Sequence, residues 1–456
     1  MFRIPILCSL FAALLFAQPL QTTGSIRGSV LSAGSLVPGA SVAITNTATG
    51  EVLTLRTDAS GEFAAPNLAL GDYTIRGKAE GFVSSEPVQV SVVPGKSERI
   101  ELFLAKPTPA RAIPRAIDAG AAVQPSGKYV TVPIFYATDR KQEGDSVLPS
   151  KFYGGNRRER TNGEPLLEFG VCEVSIPWSH HVGELESPSW MKLEFHSDPT
   201  KHVQLLSITP YDQELYFSTI RRRVAGAPLH DAFVFIHGYN TSFENAARRT
   251  AQIAHDLKFS GAPILYSWPS QDDVVQYTVD ENNVDWTSSH LEEFLKLVSE
   301  RTGATTIHLI GHSMGSRALT SALESMPVKT PPQFREVILA APDIDAGVFT
   351  EMANGLKGKA NRITLYASSK DYALEASRIL HREPRAGDSE KMVVVDGVDS
   401  IDASLASTDV LGHGYVFHSS ILFDIESLFR FGKPPSQRER LRVQQMGKLL
   451  YWMLDR

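Results

Sequence analysis

Ser313 is the residue whose surroundings most directly suggest chemistry. It is the centre of the run Gly-His-Ser-Met-Gly at residues 311–315, which fits the pattern G-x-S-x-G. Residues 307–310 before it are mostly apolar and predict a buried strand, and residues 316–326 after it predict a helix. A serine at such a turn projects its hydroxyl from the carboxyl edge of a sheet, and the small glycines let strand and helix pass close together. We therefore predict that Ser313 is a nucleophile.

A serine hydroxyl attacks poorly at neutral pH unless a base takes its proton. When the serine lies at a strand-to-helix turn of this kind, the acid and then the histidine follow it in the chain. Three histidines follow Ser313, namely His381, His413 and His418. We predict that His413 is the base, because it lies in a glycine-flanked loop after the last predicted strand. His381 is expected to be structural at the end of a helix, and His418 is expected to begin the final helix.

The carboxylate that orients this base has two candidates. Asp371 comes just past the predicted strand 363–366, and Asp343 comes just past the preceding predicted strand 337–339. Both places are used among serine hydrolases; we favour Asp371 and keep Asp343 as the alternative acid. Whichever is not the acid is expected to cap its following helix. Asp396 and Asp399, beside the predicted strand 392–395, are weaker candidates.

The donors for the oxyanion are predicted from main-chain position. The predicted strand 233–236 runs into His237 and Gly238, the place from which such folds supply one backbone N–H, and the residue after the serine supplies the other. This nominates the main chains of Tyr239 and Met314. His237 and His312 are then predicted to shape and pack these turns. Since no His-Glu-x-x-His or Cys-x-x-Cys spacing occurs, we predict no metal site and no cofactor.

The elements that carry these residues alternate between strand and helix from about residue 128. Predicted strands are 130–137, 169–176, 233–236, 264–266, 307–310, 337–339, 363–366 and 392–395. Predicted helices are 243–258, 286–302, 316–326, 346–356, 371–380 and 418–430. Alternating apolar strands and helices predict an α/β fold with a mostly parallel sheet covered on both faces. Chemistry in such sheets gathers at the carboxyl ends of the strands.

The first hundred residues have a different pattern. From residue 22 to residue 104, short β-rich runs are separated by glycine-containing turns, which predicts a small all-β sandwich. Residues 105–127 are rich in proline and alanine and predict a linker, so a second domain should span residues 128–456.

Composition sets the class of protein. Over 456 residues, 42% are hydrophobic and 21% are charged, as in an ordinary soluble protein, and the formal net charge of −6 argues against a nucleic-acid partner.

Residues 1–17 carry Arg3 as their only charge within an apolar run, which predicts a signal peptide, with an uncleaved anchor as the alternative. Cys172 would be the one cysteine left after cleavage, and its strand-like setting predicts a packed thiol.

Several stretches beyond the serine turn carry a family resemblance. Residues 135–140 read Phe-Tyr-Ala-Thr-Asp-Arg, residues 235–243 read Phe-Ile-His-Gly-Tyr-Asn-Thr-Ser-Phe, and residues 341–345 read Ala-Pro-Asp-Ile-Asp. With Tyr-Ser-Trp-Pro-Ser at 266–270 and Gly-His-Gly-Tyr at 412–415, residues 128–456 resemble the α/β-hydrolase family DUF900. This resemblance implies an α/β-hydrolase fold and a serine, acid and histidine triad, and it does not imply a substrate.

The predicted sandwich has its own resemblance. Ile-Arg-Gly-Ser-Val at 26–30, Thr-Asp-Ala-Ser-Gly-Glu-Phe at 57–63 and Gly-Asp-Tyr-Thr at 71–74 resemble the carboxypeptidase regulatory-like, transthyretin-like domain of secreted bacterial proteins. Such domains are usually non-catalytic. We therefore prefer a folding and spacing role for it over contact with a cell surface or polymer.

Together these features predict an exported serine hydrolase, periplasmic or extracellular, that cleaves carboxylic esters of small molecules or lipids through an acyl-enzyme. Amidases, peptidases and acyltransferases share the triad and are alternatives. A cell-surface binding protein with an inactive hydrolase domain is the alternative from another class. Because only about twenty residues separate the strands at 337–339 and 363–366, a large lid there is not expected, and only residues 141–168 or 271–285 could cover the site.

Overall fold

The structure is a computed structural model of the chain. It describes residues 23–455 apart from 33–34, 81, 83–84, 86, 105–123, 145–147, 160–165, 189–196, 274–275, 332, 372–373, 375–376, 378–381 and 407–415. The chain divides into two compact units, residues 1–112 and residues 113–456. The predicted signal peptide at 1–17 and most of the predicted linker lie outside the described residues.

The first unit is a β-sandwich, as predicted. Its strands are β1 (Thr23–Ser32), β2 (Ser35–Leu36), β3 (Ser41–Asn46), β4 (Val52–Arg56), β5 (Glu62–Ala69), β6 (Gly71–Lys78), β7 (Val88–Val92) and β8 (Ser97–Phe103). One four-stranded sheet joins β2, β1 and β5 with β8 beside β1, and the other has the order β4-β3-β6-β7. Alternate residues of β3, such as Val42 and Ile44, point into the shared core because side chains alternate along a strand.

The second unit contains the remaining elements. Its strands are β9 (Gln124–Ser126), β10 (Tyr129–Thr138), β11 (Arg140–Gln142), β12 (Tyr153–Arg157), β13 (Glu168–Pro177), β14 (Gln204–Tyr211), β15 (Asp231–Ile236), β16 (Ala262–Ser267), β17 (Thr306–His312), β18 (Phe334–Ala340), β19 (Ala360–Ala367), β20 (Asp399–Asp402), β21 (Leu441–Met446) and β22 (Leu449–Leu454). The α-helices whose residues the structure describes throughout are α1 (Gln213–Ala225), α2 (Phe243–Asp256), α3 (Tyr277–Arg301), α4 (Met314–Ser325), α5 (Ala346–Leu356) and α6 (Ser419–Phe431).

One twelve-stranded sheet organises this unit, with the order β14-β13-β10-β16-β15-β17-β18-β19-β20-β22-β21 and with β9 beside β10. Neighbours from β10 to β22 in this order are parallel, while β13, β14, β9 and β21 pair antiparallel with theirs. The predicted mostly parallel α/β sheet is confirmed.

Both faces of the central strands are buried. Val234 and Leu309 pack with residues of α1, α3, α4 and α5, whereas their chain neighbours Phe235 and Ile310 pack on the opposite face with residues of α2 and α6. A strand that is covered on both faces has no polar side, which explains why the central strands are nearly continuous apolar runs in the sequence.

The last predicted strand was placed wrongly. Residues 392–395 are not a strand, and β20 lies further along the chain at Asp399–Asp402. Met392 and Val393 are buried in the core without strand pairing, so they are apolar because they are buried and not because they belong to a strand.

Helix α3 begins nine residues earlier than the predicted start at residue 286, and α1 was not predicted. Most of the predicted helix 371–380 lies outside the described residues.

Cys172 is fully buried in β13, and burial raises the pKa of its thiol, which confirms the prediction of a packed thiol. Among the helices that the structure describes, none is both long enough and apolar enough to span a membrane.

The parallel strands bring six connecting segments to one edge of the sheet. Chain segments leave the carboxyl ends of β10, β15, β16, β17, β18 and β19 at residues 139, 237, 268, 313, 341 and 368. Because parallel strands end at the same edge, the residues that follow them are neighbours in space. The candidate site lies at this edge.

Candidate active site

Ser313 occupies the turn between β17 and α4. Its backbone angles are φ 52° and ψ −124°, a region that residues other than glycine rarely adopt. Its N–H donates to the carbonyl of Ala340 at the end of β18, with 2.9 Å between the atoms, and the residue is 2% exposed. The surrounding sheet thus holds a strained serine at the strand-to-helix turn.

Three glycines make this turn sterically feasible. A Cβ on Gly315 would lie 2.3 Å from the His237 carbonyl oxygen, and a Cβ on Gly311 would lie 2.9 Å from Ser316 Cα. A Cβ on Gly238 would lie 2.8 Å from Ser313 Cβ. Real Cβ atoms do not approach other atoms so closely. The glycines therefore allow the loop after β15 to pack directly against the serine turn.

The loop after β15 carries the predicted oxyanion donor Tyr239. Side chains hold the next three residues: the N–H of Asn240 donates to Asp280 at 3.3 Å, that of Thr241 to Ser270 Oγ at 3.0 Å, and that of Ser242 to Asp272 at 3.1 Å. Met314, which carries the other predicted donor, is the first residue of α4 and follows Ser313 directly. The two predicted donor residues therefore belong to segments that pack together at Gly238.

His237 is buried behind this loop. Its Nδ1 lies 2.8 Å from the carbonyl oxygen of Gly238 and its Nε2 lies 3.2 Å from Nη2 of Arg140. A carbonyl can only accept and a guanidinium can only donate, so Nδ1 carries the proton and Nε2 is the acceptor. Burial, together with the nearby Arg140 charge, lowers the pKa of His237 well below its usual value. The predicted structural role of this ring agrees with these contacts.

Arg140 ties the segments of this edge together. The residue is 1% exposed, and each of its guanidinium N–H groups has an acceptor. The acceptors are Ser267 Oγ at 2.8 Å, Gly154 O at 2.9 Å, Ser270 O at 3.0 Å, Thr241 O at 2.7 Å and His237 Nε2 at 3.2 Å. One side chain thus joins the segments after β10, β15 and β16 to strand β12.

Asp343, the alternative acid, is the centre of a buried network. Its Oδ2 accepts from the Tyr277 hydroxyl at 2.8 Å, and its Oδ1 accepts from Ser377 Oγ at 2.8 Å. Arg385 forms an ion pair with the same Oδ1 at 3.3 Å. The N–H of Asp343 also donates to the Ser313 carbonyl at 3.3 Å, so this network touches the serine turn. Asp345, and not Asp343, caps α5.

Asp371, the favoured acid, is buried in the segment that follows β19. It is 4% exposed, and its Oδ1 accepts from the N–H of Leu374 at 3.0 Å, which is a capping contact. Asp396 and Asp399 are differently placed. Asp399 is at the amino end of β20, at the opposite edge of the sheet from Ser313, and pairs with Arg362. Asp396 pairs with Lys357.

The candidate histidines divide into described and undescribed residues. His413, the predicted base, and His381 both lie outside the described residues. His418 is the N-cap of α6, where its Nδ1 accepts from the N–H of Ser420 at 3.4 Å, as expected for a residue that begins the last helix. The ring of His312 packs against that of Phe417, with 5.0 Å between centroids.

Sequence reasoning missed the polar residues that surround the serine turn. Tyr277 lies in residues 271–285, which the sequence offered only as a possible cover for the site. Its ring packs against that of Tyr239, with 5.2 Å between centroids, and its hydroxyl donates to Asp343. Arg140 was noticed only as part of a family motif, and Arg385 gave no signal at all. No spacing rule could have found these contacts, because each joins residues far apart in the chain. Within the described part of the chain, no group of three or more His, Cys, Asp or Glu side chains is arranged to hold a metal ion.

Comparison with known protein families gives one match in each unit. Residues 216–428 match the sequence model of the family described as alpha/beta hydrolase of unknown function (DUF900). Residues 25–105 match the carboxypeptidase regulatory-like domain. No curated protein matches the chain in sequence.

Solved structures give local similarities. The minor pilin GBS52 of Streptococcus agalactiae is 16% identical over 21% of this chain and 49% of the pilin, with a TM-score of 0.19. The 5-hydroxyisourate hydrolase of Klebsiella pneumoniae is 17% identical over 20% of this chain and 92% of that enzyme, with a TM-score of 0.15. The major pilin SpaD of Corynebacterium diphtheriae is 12% identical over 38% of this chain and 39% of the pilin, with a TM-score of 0.17.

This chain thus spans about half the length of the minor pilin that it matches. The two family matches agree in position with the two units of the structure. The chain is therefore similar to a carboxypeptidase regulatory-like domain over residues 25–105 and to the α/β-hydrolase family DUF900 over residues 216–428.

Proposed function

We propose that this hydrolase is a serine carboxylic ester hydrolase that acts through an acyl-enzyme on Ser313. The observation that carries the proposal is the backbone of Ser313, at φ 52° between β17 and α4, with Gly238 packed against its Cβ. Backbone strain of this kind persists only where the surrounding structure enforces it, and it is typical of sites that do chemistry. A purely structural serine would not need this strain.

In the first half of the reaction, His413 takes the proton of Ser313 Oγ as Oγ forms a bond to the ester carbonyl carbon. The carbonyl π electrons move onto oxygen, and the main-chain N–H groups of Tyr239 and Met314 bind the resulting oxyanion. When the C=O bond re-forms, the bond to the alkoxy group breaks, and the imidazolium of His413 gives its proton to the leaving alcohol. The acyl group is then an ester of Ser313.

In the second half, water replaces the alcohol. His413 takes a proton from water as its oxygen attacks the acyl carbon, and collapse of the second tetrahedral intermediate releases the carboxylic acid and returns the proton to Ser313. Asp371 is the proposed carboxylate that orients His413. Amidase, peptidase and acyltransferase activities differ from this scheme in the leaving group or the acceptor.

Turnover of p-nitrophenyl butyrate tests the proposal. Ser313→Ala should abolish turnover above the uncatalysed rate, while Ser325→Ala, at the far end of α4, should retain wild-type turnover. Wild-type turnover by Ser313→Ala would reject the assignment of the nucleophile. Parallel assays with p-nitroanilide and with an alcohol acceptor distinguish the ester hydrolase from the amidase and the acyltransferase.

We also propose that the chain is exported and that residues 1–17 are a removed signal peptide. The apolar run with Arg3 as its only charge supports this. Mass spectrometry of the N-terminus in the native host should find a chain that begins at Gln18. A chain that retains Met1 would contradict the proposal.

Contact with a cell surface or polymer is a proposal for the sandwich unit. The edge strand β4 exposes Val52 and Leu53, an arrangement that supports contact with another surface. Deletion of residues 25–105 should then reduce retention of the protein on host cell-wall material. Unchanged retention would favour the folding and spacing role that we prefer.

A further inference from the structure

We propose that Arg140 and His237 form a hydrogen-bond relay that strengthens the main-chain N–H of Tyr239 as an oxyanion donor. The inference rests on the proposed function, since it concerns the oxyanion formed in the Ser313 reaction. Arg140 and His237 are positioning residues, because they act through the peptide group that joins Gly238 to Tyr239 and not on the substrate.

The relay begins at a buried positive charge. The guanidinium has five N–H donors, and all five are used by neutral acceptors, four oxygens and the Nε2 of His237. Four carboxylates, those of Asp139, Asp280, Asp272 and Glu143, act on this charge through space. Burial lowers the pKa of Arg140 to about 10, so the group remains a cation at neutral pH. The atoms in direct hydrogen-bond contact with the guanidinium are therefore neutral dipoles, and His237 Nε2 is one of them.

The imidazole passes this polarisation on. The partners of His237 fix its tautomer, with Nε2 accepting from Arg140 at 3.2 Å and Nδ1–H donating to the Gly238 carbonyl at 2.8 Å. A donor bonded to Nε2 makes Nδ1–H a better donor, because hydrogen bonds in a chain polarise one another in a low-dielectric interior. The Trp268 ring stacks on the imidazole at 5.0 Å and its Nε1 donates to the His237 carbonyl, so the ring is held in place.

The relay ends at the predicted oxyanion donor. The carbonyl of Gly238 and the N–H of Tyr239 belong to one planar peptide group, whose resonance links the charge on oxygen to the charge on nitrogen. A hydrogen bond to this carbonyl makes the attached N–H more positive. A Cβ on Gly238 would be 2.8 Å from Ser313 Cβ, so the polarised peptide lies beside the nucleophile.

This arrangement should favour the transition state over the bound substrate. Charge on the substrate oxygen grows only as the tetrahedral intermediate forms, and dipoles that are already oriented need no reorganisation at that moment. Loss of the relay should therefore lower kcat far more than it changes KM.

Two variants separate the relay from simple support of the loop. His237→Asn keeps an N–H donor near the position of Nδ1 but has no atom at the position of Nε2, so the link to Arg140 is cut. Ser270→Ala is the matched control, because Ser270 Oγ also holds this loop through the N–H of Thr241 but has no part in the relay. Each protein is treated with a short-chain alkyl trifluoromethyl ketone, labelled with ¹³C at the carbonyl, which forms a hemiketal oxyanion with an active serine.

The ¹³C shift of the adduct, titrated with pH, reports the pKa of the hemiketal, and p-nitrophenyl butyrate reports kcat and KM. We expect His237→Asn to raise the hemiketal pKa by about one unit and to lower kcat at least about tenfold, with KM changed less than about twofold. Ser270→Ala should lower the thermal unfolding midpoint but leave the hemiketal pKa at the wild-type value.

An unchanged hemiketal pKa in His237→Asn, or an equal rise in Ser270→Ala, would overturn the relay while leaving the serine mechanism intact. A wild-type protein that forms no adduct at Ser313 rejects the proposed function and the relay with it. If His237→Asn does not fold, the ¹⁵N spectrum of the wild-type histidines decides. The relay requires a neutral ring that stays protonated on Nδ1 from pH 5 to pH 9, and a spectrum without such a ring overturns it.

Discussion

The hydroxyl of Tyr277 donates to Oδ2 of Asp343, with 2.8 Å between the oxygens. Oδ1 of the same carboxylate accepts from Ser377 and pairs with Arg385, so both carboxylate oxygens are engaged by neighbouring side chains. A carboxylate used in this way has less capacity to orient an imidazole. Asp371 in turn makes the capping contact that is expected of the residue that is not the acid, so the kinetics of Asp371→Asn and Asp343→Asn decide between the two carboxylates.

The first prediction concerns Asp371. Asp371→Asn should lower kcat for p-nitrophenyl butyrate by roughly 10⁴-fold, because an amide no longer stabilises the imidazolium or selects its tautomer. Asp345→Asn is the matched control, since asparagine replaces aspartate well as the cap of α5. Steady-state kinetics with a thermal melt of each variant is the measurement.

The second prediction concerns Asp343. Asp343→Asn should act mainly on stability and lower the free energy of unfolding by about 3–5 kcal/mol, because the buried Arg385 loses its counter-charge. Denaturant unfolding measures this. If Asp343→Asn instead removed turnover at unchanged stability while Asp371→Asn kept it, Asp343 would be the acid.

The third prediction tests the glycine contacts of the serine turn. Gly315→Ala places a Cβ 2.3 Å from the His237 carbonyl oxygen. The Cβ is fixed to the backbone of α4 and the oxygen belongs to the backbone, so no side-chain rotation can relieve the contact. We expect kcat to fall by at least about 100-fold, because a displaced oxyanion loop loses its alignment with the nucleophile. Gly127→Ala is the control, since a Cβ there meets open space. Equal turnover by the two variants would contradict the close packing.

The fourth prediction concerns stability at alkaline pH. Burial alone would lower the pKa of His180, but hydrogen bonds to Asp256 and Glu186 outweigh burial and raise that pKa to about 9. The protonated ring is thus favoured in the folded state. Its contribution is fully present below the unfolded pKa of about 6.5 and is lost as the pH rises through about 9, an effect of roughly 2–3 kcal/mol.

The comparison of wild type with His180→Gln isolates this contribution. The difference between their free energies of unfolding should be greater at pH 6 than at pH 10, by roughly 2–3 kcal/mol. Urea unfolding across this range measures it. A difference that stays constant with pH would show that His180 is neutral in the folded protein.

Much of the central sheet could be predicted because its strands are buried on both faces. The apolar runs that predicted β15, β17 and β18 needed no tertiary information. Strand β20 was missed because its sequence, Asp-Ser-Ile-Asp, is mostly polar and is a strand only through pairing with β19 and β22. The polar first turns of α3 were missed because they are held by contacts such as Ser270 Oγ to Asp280.

The candidate site divides in the same way. A local pattern marks Ser313, because the glycine turn is encoded in five consecutive residues. The network of Asp343 with Tyr277 and Arg385 has no local pattern, since its members come from three distant segments. Likewise, residues 135–140 suggested a family. They did not suggest that all five N–H groups of Arg140 would donate hydrogen bonds to residues around the oxyanion loop.

The central claim is that Ser313 is an activated nucleophile, and labelling with a fluorophosphonate probe followed by peptide mass spectrometry tests it most directly. The probe reports an activated serine without knowledge of the substrate. The wild-type protein should carry one label, on the peptide that contains Ser313, and Ser313→Ala should carry none. A folded wild-type protein that takes no label, or a label that persists in Ser313→Ala, would contradict the claim.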